Sequence, residues 1–172
     1  MLTPANDTKV MSDALSGLGF TVIGLRDGNK AQMAAAIIAV RDTLKGKQGV
    51  GMLYYAGHGL LVDEHNFIMP VDAKMSKAGD VAAQAVDVSG PVDAFKTAGN
   101  RINILVLDAC RDNPLGGVTT GKGLAPLDAP TGTFFACATA LGNVAKDDDV
   151  MSGNGLYTQY CQQELKKAQG QH

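Results

Sequence analysis

Val50-Gly-Met-Leu-Tyr-Tyr-Ala56 and Ile102-Asn-Ile-Leu-Val-Leu107 decide the fold. Each is a near-continuous apolar run of the kind that suits a strand buried on both faces. Each also ends abruptly in polar punctuation, Gly57-His58-Gly59 after the first and Asp108-Ala-Cys-Arg-Asp-Asn-Pro114 after the second. Around them the hydrophobic period alternates. Upstream, Asn6-Asp7-Thr8 offers caps for a helix with Val10, Met11, Ala14, Leu15 and Leu18 at helical spacing. Phe20-Thr-Val-Ile-Gly-Leu25 reads as a strand, and Asp27-Gly28-Asn29 as a turn and cap before a helix from Lys30 to Leu44. Downstream of Gly59, Leu60–Val62 and Asn66–Met69 flank Asp63-Glu64-His65 as a hairpin. Asp72 to Asp87 reads as a long loop or weak helix, and Ser89 to Ala98 as a short helix capped by Ser89. Thr133–Thr139 is a further strand, and Leu156 to about Ala168 a closing helix. Strands alternating with helices imply an α/β domain with a mostly parallel sheet.

Length and composition agree. The 172 residues fill one domain, and no repeat or internal boundary divides residues 1–172. Hydrophobic residues at 45% and charged residues at 19% describe a globular chain. A net charge of −2 argues against non-specific nucleic-acid binding, and no apolar run has the length of a membrane span. Three cysteines cannot all pair, so free thiols rather than a disulfide scaffold are expected. The first residues lack a basic-then-apolar signal pattern, which favours the cytoplasm as compartment.

In parallel α/β sheets, ligands bind beyond the carboxyl ends of the strands. His58 and Cys110 both fall there. A thiol needs a base or a neighbouring imidazolium to become a good nucleophile near neutral pH. Two strands delivering one histidine and one cysteine to the same rim are what a Cys–His dyad requires. Taken singly, each has a plainer role: the histidine as a structural residue, the cysteine as a small core hydrophobe.

Tyr54-Tyr-Ala-Gly-His-Gly59 followed by Leu107-Asp-Ala-Cys-Arg-Asp-Asn-Pro114 resembles the caspase-like cysteine peptidases, and most nearly their bacterial branch, the orthocaspases related to metacaspases. A histidine about fifty residues upstream of the cysteine is a known property of that family. The resemblance runs from about Pro4 to Leu165 and takes in Asn6-Asp7, Pro70-Val-Asp72, Gly123-Leu-Ala-Pro-Leu-Asp128 and Tyr157-Thr158. It implies a three-layer α/β/α sandwich and an endopeptidase with His58 as base and Cys110 as nucleophile. Gly59 and Cys110 are then candidate oxyanion-hole donors through their backbone N–H groups.

Caspases carry glutamine two residues before the cysteine, where this chain has Asp108. A carboxylate there disfavours an acidic substrate side chain and favours a cationic one. The resemblance to metacaspases adds Asp7 as a second carboxylate of the substrate pocket. The expected partner is therefore a protein or peptide cleaved after Arg or Lys. Simpler roles are a helix cap for Asp7, which Asn6 could equally fill, and a loop tether for Asp108. Lys122, in a glycine-rich loop, is a candidate self-cleavage point. Asp147-Asp148-Asp149 could bind calcium, although solvent exposure is the ordinary reading of such a run. No ligand spacing suggests a zinc site, and no cofactor is expected.

Two departures from the family stand out. Ala56 replaces a frequent serine. The first strand, which belongs between those at Phe20 and Val50, has no counterpart in the sequence. A longer natural chain, a start placed too late, or a rearranged or exchanged strand from another subunit would each account for it. The alternative to an enzyme is a caspase-homologous module that binds partners without turnover.

Overall fold

The computed structural model describes residues 3–110, 130–137 and 156–169. Its elements, in chain order, are α1 (Thr3–Gly17), α2 (Lys30–Leu44), β1 (Val50–Val62), β2 (His65–Ile68), a 3-10 turn (Ala78–Asp80), α3 (Val81–Gln84), β3 (Val86–Asp87), α4 (Ser89–Ala98), β4 (Ile102–Cys110), β5 (Thr133–Cys137) and α5 (Leu156–Gln169). The five strands form one sheet in the order β3-β2-β1-β4-β5. β1, β4 and β5 run parallel, while β2 returns antiparallel to the end of β1 and β3 antiparallel to β2.

The two deciding runs become the sheet's central pair. β1 and β4 stay in register from Val50 with Ile102 to His58 with Cys110. Side chains alternate along a strand, and the two faces of this pair are covered by different helices. Leu105 and Leu107 are fully buried with Ile68, Val88 and Phe95, and Leu53, Tyr55, Met33, Val40 and Leu44 close around them. That face carries α2 and α4. On the opposite face α1 packs on β1 and on α5. The result is the α/β/α sandwich expected from the sequence.

α1 buries Asp7, Met11, Ala14 and Leu15. Their spacing of four, seven and eight residues is one helical stripe. The helix begins at Thr3, a turn earlier than the Asn6-Asp7-Thr8 signal suggests, because Pro4 is well tolerated in a first turn. Asp7 is therefore inside the helix and does not cap it. α2 starts as expected. Asn29 accepts from the Gln32 N–H at 2.8 Å, and the Gln32 side chain accepts from the Asn29 N–H at 3.0 Å, a complete capping box. α4 corrects a smaller expectation. Ser89 is its first residue, and the Asp87 carboxylate takes the Ser89 N–H at 2.8 Å instead of a serine cap forming.

Three further expectations change. Gly57-His58-Gly59 does not end the first strand. β1 runs on through it to Val62, exchanging β4 for β2 as its neighbour. The segment from Asp72 to Asp87 is a succession of short elements, tied down by the Lys30 ammonium, which donates to the Ala82 and Ala83 carbonyls at 3.1 and 2.7 Å. Phe20–Leu25 is not a strand. A strand exists only by pairing with a neighbour, and this segment has none among the described residues. β2 borders β1 only over Gly59–Val62, so Val50–Gly57 is laddered on the β4 side alone. No strand of the described chain occupies the place that the sequence comparison left empty.

Candidate active site

His58 stands where β1 changes partners. Its ring belongs to a residue in register with β4, while its carbonyl accepts from the Met69 N–H, at 3.1 Å, just past the end of β2. Tyr55 fixes this junction. Its hydroxyl lies 2.9 Å from the His58 carbonyl oxygen and 3.0 Å from that of Met69, and accepts from the Met69 N–H at 3.2 Å. The phenol reaches these groups by lying over Gly57. A Cβ at Gly57 would sit 2.5 Å from Tyr55 Oη and 2.8 Å from Cζ, so only glycine fits. Burial pushes the Tyr55 phenol up to about 12, against the opposing effect of its hydrogen bonds, so it remains a donor throughout the neutral range.

Cys110 is the last residue of β4 and the register partner of His58. Neighbouring strands lie about 4.8 Å apart, so the two backbones are adjacent at this level. His58 Nδ1 is buried and has no hydrogen-bond partner among the described residues. Native folds seldom leave such a group unpaired, and where they do it marks strain, a catalytic role or a bound water or ion. Gly59 follows His58 within β1, buried and paired with Ile68.

Asp108 occupies the sheet position before Cys110 on the face that carries α1 and α5. Two hydroxyls converge on its Oδ2. Thr158 of α5 donates at 3.0 Å, and the Tyr54 hydroxyl of β1 lies 3.4 Å away. Tyr54 and Thr158 are themselves 2.6 Å apart. Thr158 is completely buried. Asp7 is 3% exposed and close enough for its charge to act on the Tyr54 phenol. Burial is the main reason that phenol lies far above its usual range. The Thr158 hydrogen bond opposes the rise, and Asp108, Asp7 and the Cys161 thiol add to it. The sheet face beside His58 therefore gathers two carboxylates, one from β4 and one from α1, around a protonated tyrosine.

Sequence reasoning named Asp7, His58, Asp108 and Cys110; the β1–β4 pair holds positions 58, 110 and 108 at one end, and Asp7 is buried near Tyr54, farther back along the same pair. That reasoning missed Tyr54 and Thr158 as site residues. The period-2 alternation of β1 held part of the signal, since positions 54, 56 and 58 share a face. Lys122 and Asp147-Asp148-Asp149 lie outside the described residues. Cys137 packs at the edge of the core. Among the described residues no group of His, Cys, Asp and Glu is arranged to hold a metal ion. No described helix is long and apolar enough to cross a membrane.

The caspase-domain model of the C14 peptidases matches residues 2–172. Among curated proteins none matches the chain. The match spans the whole sheet and every helix described above, so the chain belongs to the caspase-domain family of cysteine peptidases.

Proposed function

We propose that the chain is an endopeptidase of the metacaspase or orthocaspase type, cleaving after arginine or lysine with His58 as base and Cys110 as nucleophile. The observation that carries this reading is the register of β1 and β4, which pairs position 58 with position 110 on adjacent central strands. The Cys110 thiolate attacks the scissile carbonyl carbon. The oxyanion that forms is met by backbone N–H groups, with Gly59 and Cys110 as the donors proposed. His58 gives a proton to the leaving amine as the C–N bond breaks, leaving a thioester. A water molecule, deprotonated by His58, then attacks the thioester, and the acid and free thiol are released. No cofactor enters this scheme.

The preference for a basic side chain is supported by Asp7 and Asp108. Two carboxylates in one partly buried neighbourhood raise each other's energy, and a guanidinium or ammonium between them relieves it. An aspartate side chain in the same place would meet only repulsion.

Matched peptides ending in Arg, Lys or Asp before a fluorogenic leaving group test the reading, with Cys110→Ala as control. Turnover of the Arg and Lys peptides, abolished in the variant, is the expected result. Turnover of the Asp peptide alone would keep the peptidase and overturn the pocket. Silence from the unaltered protein toward all three would overturn the enzyme and favour a non-catalytic caspase-fold module.

A further inference from the structure

We infer that Tyr54 and Thr158 are positioning residues for the substrate pocket: their hydroxyls hold the Asp108 carboxylate in the orientation that receives a basic side chain. The inference rests on the reading of Asp108 just proposed. The geometry is specific. Tyr54 Oη and Thr158 Oγ1 are 2.6 Å apart, and Thr158 Oγ1 is 3.0 Å from Asp108 Oδ2. Tyr54 can give its proton to Thr158, which passes its own to the carboxylate, or reach Oδ2 directly at 3.4 Å. Either way the two hydroxyls act on one oxygen of the pair, Thr158 directly and Tyr54 directly or through Thr158. Hydrogen bonds to a charged acceptor are the stronger kind, and chains of them polarise one another. The three residues also come from three elements, β1, α5 and β4. The relay therefore ties the carboxylate's direction to the seating of the last helix on the sheet.

Burial distinguishes this arrangement from ordinary core packing. Thr158 has no exposed surface, yet its stripe on α5 continues with the half-buried Cys161, Gln162 and Leu165. A residue wanted only for volume there would be apolar, because a buried hydroxyl must recover its hydrogen bonds. Here it recovers them from the tyrosine and the carboxylate. A bidentate guanidinium is more demanding of carboxylate direction than a point-like ammonium. Loss of the relay should therefore be felt more by arginine than by lysine.

The test uses the full chain carrying Tyr54→Phe, Thr158→Val or Thr158→Ser, with peptides matched except for Arg, Lys or citrulline at the cleavage position. Citrulline keeps the shape of arginine without its charge. Phe and Val remove one hydroxyl each at nearly constant volume, and Ser restores the hydroxyl. The expected result is a KM for the Arg peptide raised about tenfold by Phe or Val. The same variants should show kcat changed less than KM, a smaller Arg-over-citrulline ratio, and a larger loss for Arg than for Lys. Thr158→Ser should return the ratio to near that of the unaltered protein. An equal loss for Arg and citrulline, or no recovery with serine, would make both residues merely structural and overturn the inference. An unchanged Arg-over-citrulline ratio in folded Tyr54→Phe and Thr158→Val would overturn it as well. If the unaltered protein itself turns over Arg and citrulline peptides equally, the pocket reading has failed first. That failure shows without any variant.

Discussion

Gly57→Ala perturbs the junction that carries His58 at its most crowded point. The new methyl would lie 2.5 Å from Tyr55 Oη, 2.8 Å from Cζ and 3.3 Å from Cε1. The ring cannot simply turn aside, because its hydroxyl is held between His58 and Met69. Overpacking of this kind costs about 1–3 kcal/mol. Displacing the phenol forfeits one donated and one accepted hydrogen bond, about 1 kcal/mol each. Alanine recovers about 0.5–1 kcal/mol relative to glycine within a strand. The net destabilisation is about 3 kcal/mol. Urea unfolding at constant slope measures it, and a double-mutant cycle isolates its cause. Tyr55→Leu removes all three atoms nearest the new methyl. In that background Gly57→Ala should be within about 0.5 kcal/mol of neutral, leaving a coupling of about 2–3 kcal/mol. Peptidase activity should fall more than tenfold in the single variant, since the His58 backbone loses its anchor. Equal cost of Gly57→Ala in both backgrounds would refute the clamp.

Two further outcomes follow from the same geometry. Asp7→Asn should lower kcat/KM for Arg and Lys peptides at least tenfold while sparing a citrulline peptide, read by the same fluorogenic assay; equal losses on all three would return Asp7 to a structural role. Partial burial pushes the Asp87 carboxyl up, but hydrogen bonds from the Ser89 N–H and hydroxyl, and His65 at 2.9 Å, more than reverse this, so it lies below the usual carboxylate range. A depressed folded value means stability that is complete above the unfolded value of about 4 and lost as pH falls through the folded one. Asp87→Asn should therefore flatten the acid limb of a urea-stability profile below about pH 4.

The central strands and the helices α2, α4 and α5 were legible because their patterns are local. An apolar run announces a buried strand wherever it pairs, and Asn29 with Gln32 marks a helix start within four residues. Phe20–Leu25 shows the limit of such reading. Its composition is that of a strand, but a strand needs a neighbour, and pairing is not written in one segment. The continuation of β1 through Gly57-His58-Gly59 was hidden for the opposite reason. Glycines suggest a break, whereas here Gly57 makes room for a phenol above an unbroken strand. At the candidate site, His58 and Cys110 stand out in the sequence because each follows an apolar run. The burial of Asp7 was obscured by a cap-like Asn6-Asp7-Thr8. Only the continuation of its stripe to Met11, Ala14 and Leu15 reveals a carboxylate on the inner face. Thr158 was matched only as part of Tyr157-Thr158 and given no role, since its partners lie 50 and 104 positions away in the chain.

The layering has a consequence for fidelity. On the proposed reading, bond breaking depends on the ends of two central strands, whereas discrimination depends also on Asp7 from α1 and Thr158 from α5. These two helices pack on each other at the outside of the sheet. Outer layers open locally at lower free energy than a central parallel pair. Each brief opening of the α1–α5 layer leaves the strand register intact and removes a pocket carboxylate together with the hydroxyl that orients the other. On that reading selectivity is lost before activity, and warming should broaden the choice of cleavage site at temperatures where turnover is still rising.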